Sequence, residues 1–208
     1  MNDLKNPTIV LANGEFPKHQ SALDFLNFDY NIICTDGSAD KLKEHGIPPK
    51  IIIGDFDSAK IVRKKSKALW IERQDQNKTD LEKAFEWCLS KTIKKIILLG
   101  AGGLREDHML GNLFVVSKFS DLFEIEVITN HSKIFCIKGS KTIEAKIGQQ
   151  ISIVAAENVD RITVTGLKYS LTNEPLSPSS RAISNEAIRE KFSIECTDKV
   201  FLFLNHID

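Results

Sequence analysis

Over its first 120 or so residues the chain alternates continuously apolar runs with amphipathic segments, and this alternation restricts the fold more than any other feature. The runs "TIVLANG", "NIICTDG", "IIIGDFD", "ALWIERQD" and "KKIILLGAGG" end in Gly or Asp and carry no polar face. That pattern predicts strands buried on both sides of a sheet. The stretches "SALDFLNF", "SADKLKEHG", "SAKIVRKKSKA" and "TDLEKAFEWCLSKT" lie between them and have helical spacing. In the last, Thr79 suits an N-cap, Glu82 completes a capping box, and Leu81, Ala84, Phe85 and Cys88 form one apolar stripe. Strand followed by helix, repeated, implies right-handed crossovers and a mainly parallel sheet in a three-layer α/β domain.

Beyond Asp121 the pattern changes. "FEIEVITN", "KIFCIKG", "KTIEAKIG", "QQISIVAA", "RITVTGL" and "KFSIECTDKVFLFLN" are short, often alternate, and are separated by Gly, Asn and Asp turns. These features predict a carboxy-terminal antiparallel β-sandwich. The boundary falls within residues 121–135, because "FEIEVITN" also suits a last strand of the first domain, and we place the domains at 1–130 and 131–208. The stretch "TNEPLSPSSRAISNEA" reads as the one long irregular loop, a usual place for function.

Composition removes several classes of function. Lysine plus arginine equal aspartate plus glutamate at 28 each, so no cationic surplus is present to hold nucleic acid. No apolar run approaches the length of a membrane span, and the amino terminus lacks the features of a secretory signal. Cys34, Cys88, Cys136 and Cys196 form no CxxC pair and have no His at zinc spacing. They read as reduced thiols of a soluble cytoplasmic protein, with Cys34 and Cys136 as small core residues.

In a parallel sheet, whatever follows each strand gathers along one rim, where ligands bind. Here the strands are followed by Asn13 and Gly14, by Asp36 and Gly37, by Asp55 and Asp57, by Asp75, Gln76 and Asp80, and by "GAGGLREDH". Taken singly, Asp36 before Gly37 fits a turn and Asp107 fits a helix cap. The pair Asp55 and Asp57 is different: in an extended segment residues two apart point the same way, and such carboxylates repel. A bound Mg²⁺ resolves the repulsion and keeps positions for phosphate. The glycine-rich stretch suits phosphate approach through Gly102 and Gly103, and Arg105 adds a fork for phosphate oxygens. His108 has the chemistry of an acid or base, or of a structural residue at a helix start.

Together, "TDGSADKL", "GDFDS", "DQNKTDLEKA" and "GAGGLREDHMLGN", in this order, resemble the motif set of the thiamine pyrophosphokinase family. "GLKYSLTNEPLS" and "SRAISNEA" resemble its thiamine-contacting segment. The resemblance implies an α/β domain followed by a β-sandwich, in a homodimer with thiamine sites between subunits. It also implies transfer of a pyrophosphoryl group from ATP to the hydroxyl of thiamine, giving thiamine diphosphate and AMP. The family's acidic positions fall on Asp36, Asp55, Asp57, Asp80 and Asp107, and its phosphate-facing arginine on Arg105. On this basis Asp55, Asp57 and Asp80, with Thr79 alongside, are assigned to Mg²⁺, Asp107 to the substrate hydroxyl and Gln76 to substrate contact. Tyr169, Ser184 and Asn185 supply an aromatic face and hydrogen bonds for thiamine, Tyr169 standing where many relatives carry tryptophan.

Two rivals stand beside this reading. "IIIGDFDS" also resembles haloacid-dehalogenase-type phosphatases, in which the first aspartate is a nucleophile. That leaves Asp36, Asp80 and Asp107 without a role, and Asp55 follows the third strand rather than the first. A non-catalytic thiamine or nucleotide sensor would keep Tyr169, Ser184 and Asn185 but would not need the carboxylates.

Overall fold

The computed structural model describes residues 6–27, 30–56 and 67–207. The chain divides into two compact units, Met1–Asn130 and His131–Asp208. Among the described residues, no helix is long and apolar enough to cross a membrane.

The first unit is built on β1 (Thr8–Leu11), β2 (Ile32–Thr35), β3 (Ile51–Gly54), β4 (Leu69–Glu72), β5 (Lys95–Leu99) and β6 (Glu124–Ile128). All pair in parallel, in the order β6-β5-β1-β2-β3-β4. "FEIEVITN" therefore supplies the parallel partner of β5, as a strand of the first unit. Helices α1 (Gln20–Asn27), α2 (Ser38–Glu44), α3 (Asp80–Leu89) and α4 (Glu106–Phe119) complete this unit's named elements. Ile9, Leu11, Ile32, Cys34, Ile52 and Ile97 form one core with Ala22 and Leu26 of α1 and Leu42 of α2. The alternate residues Val10, Ile33, Ile53, Ile96 and Leu98 are equally buried and point to the opposite face. There α3 contacts β2 and β3, and Phe85 meets Phe119 edge-on at 5.5 Å. A sheet covered on both faces explains why these strands carry no alternation. The fourth run departs from that expectation: β4 is the edge strand, and its residues are exposed or half-buried.

Thr79 does cap α3, its Oγ1 accepting from Glu82 N at 3.3 Å, while the Glu82 carboxylate accepts from Lys118 Nζ at 2.6 Å. The helix expected over "SAKIVRKKSKA" lies almost wholly outside the described residues.

The second unit is antiparallel. Its strands are β7 (Ser132–Glu144), β8 (Gln150–Ala155), β9 (Val159–Thr165), β10 (Leu171–Leu176), β11 (Asn185–Glu186) and β12 (Lys191–Asn205). Along one edge β12 pairs with β7 over its whole length; along the other it pairs first with β9 and then with β8. The switch coincides with a register shift between Cys196 and Val200. Such an irregularity bends a strand and lets it serve two sheets. Ile143, Ile151, Ile162, Phe192 and Leu202 from both branches then fill a single core, as a sandwich requires.

Two expectations change here. "KIFCIKG" and the "KTIE" that opens "KTIEAKIG" lie in one strand of 13 residues, because Gly139 at φ 85° is absorbed opposite the irregularity rather than forming a turn. The supposed irregular loop contains most of β10 and all of β11. All four cysteines are free thiols; Cys34 is buried and Cys136 half-buried.

Candidate functional site

Because the six strands of the first sheet run the same way, their carboxyl ends share one rim, and β1 lies where the strand order reverses. Such a switch point opens a crevice between neighbouring loops. A cleft of about 650 Å³ lies there, lined by Asn13, Gly14, Asp55, Gln76, Thr79, Asp80, Gly102, Arg105 and His108 among others.

Asp36 follows β2, Asp55 follows β3 and Asp80 opens α3. One carboxylate oxygen from each lies within 4.8 Å of the others. Asp36 is buried, with its backbone N–H donating to Ile53 O at 3.0 Å; Asp55 and Asp80 are half-buried. Gly54 explains how three carboxylates approach so closely. A Cβ at this position would lie 2.9 Å from Asp36 Cβ and 3.3 Å from Asp80 Oδ2, so any side chain would push them apart. An all-oxygen, all-carboxylate set is the donor chemistry of Mg²⁺ rather than of a softer metal.

Asp57 lies outside the described residues. The premise that paired it with Asp55 changes at the residue between them: Phe56 has φ 67°, so the backbone turns there instead of remaining extended. Among the described residues, Asp55 lies with Asp36 and Asp80, accepts at Oδ2 from Gln76 Nε2 at 3.2 Å, and meets Lys83.

Sequence reasoning missed Lys83. Its ammonium is 2.9 Å from Asp80 Oδ1 and 3.5 Å from Asp55 Oδ2, with a side chain only 3% exposed. Burial pulls its pKa down, but the hydrogen bond and charge of Asp80 and the charge of Asp55 outweigh that and hold it above the ordinary lysine value. The available signal was a lysine three residues after Asp80, on an otherwise apolar helix stripe. Lys41 was also missed. Its Nζ donates to Asn13 O and Gly14 O at 2.9 and 2.6 Å, and burial lowers its pKa.

The glycine-rich loop after β5 runs beside the loop after β1. Gly14 N donates to Gly100 O, and Glu15 N donates to Gly102 O. Asn112 of α4 holds Ala101 O at 2.7 Å, and Gly103 takes φ 88°. Arg105 precedes α4 and binds Asp107 through two nitrogens, at 3.1 and 2.6 Å. The Arg105 hydrogen bond, helped by the N–H of His108, holds Asp107 below the usual carboxylate range. Asp107 thus stands with Arg105 and apart from the three-carboxylate cluster.

In the second unit, Tyr169 is 64% exposed. Asn185 is buried, accepting from Tyr169 N at 3.0 Å and donating to Tyr169 O at 2.7 Å. Its amide therefore fixes the backbone of Tyr169. Ser184 adopts φ 58° and donates its N–H to Ser152 Oγ, turning the chain so that Asn185 points inward. A left-handed serine costs of order 1 kcal/mol, and such strain clusters at ligand sites.

Comparison with known proteins gives matches over both units. The family model described as thiamin pyrophosphokinase, catalytic domain, matches residues 24–129, and that described as thiamin pyrophosphokinase, vitamin B1 binding domain, matches residues 140–201. A thiamine pyrophosphokinase of Bacillus subtilis (strain 168) is 30% identical over 187 residues, spanning 85% of this chain and 87% of its own. The crystal structure of thiamine pyrophosphokinase from Bacillus subtilis superposes with a TM-score of 0.79 at 27% identity, over 97% of this chain and 99% of that one. Thiamin pyrophosphokinase from Candida albicans, at 20% identity, shares the fold with a TM-score of 0.80 over 97% and 89% of the two chains. The order of the rim motifs, the parallel sheet that gathers them and the matches over both units lead to one assignment: the chain belongs to the thiamine pyrophosphokinase family.

Proposed function

We propose that this protein transfers the pyrophosphoryl group of ATP to the hydroxyl of thiamine, giving thiamine diphosphate and AMP, and that it acts as a cytoplasmic homodimer. The convergence of Asp36, Asp55 and Asp80 on the rim beside the glycine-rich loop supports this reading most directly. In the reaction the substrate hydroxyl oxygen bonds to the β-phosphorus, the bond from that phosphorus to the α,β-bridging oxygen breaks, and the hydroxyl proton leaves.

Asp55 and Asp80, joined by Asp36 and by Asp57 from the same motif, hold Mg²⁺ in this reading, with Thr79 at their edge. A Mg²⁺ ion held by these residues would supply charge neutralisation and orientation for the β- and γ-phosphates. The backbone of Gly102 and Gly103 lies against the phosphates, and Arg105 meets charge building on the transferred group. Held ionised by Arg105, Asp107 is a weak base and suits orienting the hydroxyl more than removing its proton. Gln76 contacts substrate beside Asp55. Tyr169 stacks on the cationic thiamine ring system, with Ser184 and Asn185 fixing the segment that carries it. An aspartyl-phosphate mechanism would leave Asp36 and Asp80 unused.

The test is to incubate purified protein with ATP, Mg²⁺ and thiamine, resolve all products by chromatography and run Asp57→Asn alongside. Thiamine diphosphate and AMP should appear in equal amounts and be lost in the variant. ADP or free phosphate with thiamine unchanged would overturn the proposal.

A further inference from the structure

Lys83 is the buried charge that the proposed reaction does not use. It lies on the stripe of α3 formed by Leu81, Ala84, Phe85, Trp87 and Cys88, where an ammonium is costly unless carboxylates receive it. Two do. Lys83 Nζ donates to Asp80 Oδ1, while Asp80 Oδ2 lies on the Gly54 side, toward Asp36. Asp55 is approached at Oδ2 by both Lys83 and Gln76. The helix start capped by Thr79 fixes Asp80 one turn before Lys83, so the spacing of this pair is set by the backbone.

We infer that Lys83 is a positioning residue that stands in for the divalent cation in the metal-free protein and sets how tightly that cation binds. The inference rests on the reading that Asp36, Asp55 and Asp80 hold Mg²⁺. Lys83 lowers the mutual repulsion of the cluster before metal arrives and turns Asp80 so that one oxygen faces Asp36. Its charge then opposes the arriving cation, which keeps Mg²⁺ exchangeable.

The experiment measures Mg²⁺ affinity by calorimetry, and melting temperature with and without MgCl₂ against NaCl of equal ionic strength. The proteins are the wild type, Lys83→Gln and Lys83→Arg. Lys83→Gln should melt lower than wild type without metal, recover most of that loss in Mg²⁺ and bind Mg²⁺ about tenfold tighter. Lys83→Arg, which keeps the charge, should follow the wild type in its Mg²⁺ response and remains informative should Lys83→Gln fail to fold: an Mg²⁺ affinity raised like that expected of a neutral residue would overturn the inference. Equal Mg²⁺ affinity in wild type and Lys83→Gln, with an equal melting deficit in both buffers, would also overturn it, leaving Lys83 a packing residue. A wild type that shows no response to Mg²⁺ would instead remove the metal reading itself.

Discussion

The two units solve the same problem, burying apolar strands, by opposite means, and the difference decides where chemistry can be placed. In the first unit every strand is short and parallel, so every carboxyl end opens onto one rim and the loops there collect Asp36, Asp55, Asp80 and Gly100–Gly103. In the second, β7 and β12 run 13 and 15 residues, and antiparallel pairing sends successive ends to opposite rims. Its candidate residues instead sit around a two-residue strand, β11, where Asn185 holds the backbone of Tyr169. The first unit therefore carries a charged, convergent site, and the second presents an aromatic on a braced turn.

The sharpest way to break this division is kinetic. On the proposed reading, Asp55→Asn should lower kcat roughly 10³-fold, because a carboxylate that would serve the reacting phosphates is lost. Lys83 retains Asp80 in this variant, so the protein should remain folded by circular dichroism. If kcat were preserved and only the thiamine KM rose, the first unit would not hold the reacting phosphates.

Gly54→Ala comes next. The added Cβ meets Asp36 and Asp80 at 2.9 and 3.3 Å, so the carboxylates must shift. Activity should fall roughly 10- to 100-fold with about 1–3 kcal/mol of stability. Gly139→Ala in the second unit is the counterpart. Its Cβ would meet open space, but φ 85° strains any side chain, so about 1 kcal/mol of stability should be lost with activity intact. Equal activity losses in the two variants would show that the crowding around Gly54 is not what holds the cluster together.

How much of this was legible in the sequence follows from the same contrast. Period-free apolar runs and the rule that parallel strands share a rim were enough to place Asp36, Asp55 and Asp80 on one rim, in company with Asp57, Asp75 and Asp107; that the first three bring carboxylate oxygens together is seen only in the fold. Lys83 was legible only as a lysine interrupting an apolar helix stripe three residues after Asp80; that its ammonium reaches back along α3 to Asp80 is seen only in the fold. At Asp55 the sequence suggests a continuous extended segment, and the positive φ of Phe56 interrupts it; Asp57 itself lies outside the described residues. In the second unit, Gly139 looked like a turn because only the partner strand reveals the register shift that accommodates it. Asn185 was legible as polar and not as buried, since its hydrogen-bonding groups are matched by the backbone of Tyr169, 16 residues earlier in the chain.

Tyr169→Ala tests the second unit's share. Losing an exposed aromatic face should raise the thiamine KM about tenfold with little change in kcat, ATP KM or melting temperature. Tyr169→Trp should restore or improve the KM. A tenfold fall in kcat with unchanged KM would move Tyr169 into the chemical step and end the division of labour between units.

The smallest effect emerges only in alkali. Burial pushes the thiols of Cys34 and Cys88 in the first unit up to about 12, against a smaller opposing hydrogen bond in each, and that of Cys196 in the second to about 11. In the unfolded chain these thiols ionise near their ordinary value of about 8.5, so the unfolded state releases protons first as pH rises. Stability is therefore intact below that value and is lost progressively between it and the folded-state values, by roughly 1–2 kcal/mol per thiol near pH 10. The first unit carries two such thiols and also both tryptophans, Trp70 and Trp87, so tryptophan fluorescence reports its unfolding. The denaturant midpoint should fall between about pH 8 and about pH 10, and the fall should shrink in a Cys34→Ala, Cys88→Ala double variant. An undiminished fall would assign the alkaline loss to other groups. A fall abolished by Cys196→Ala alone would mean that the second unit limits the stability of the first.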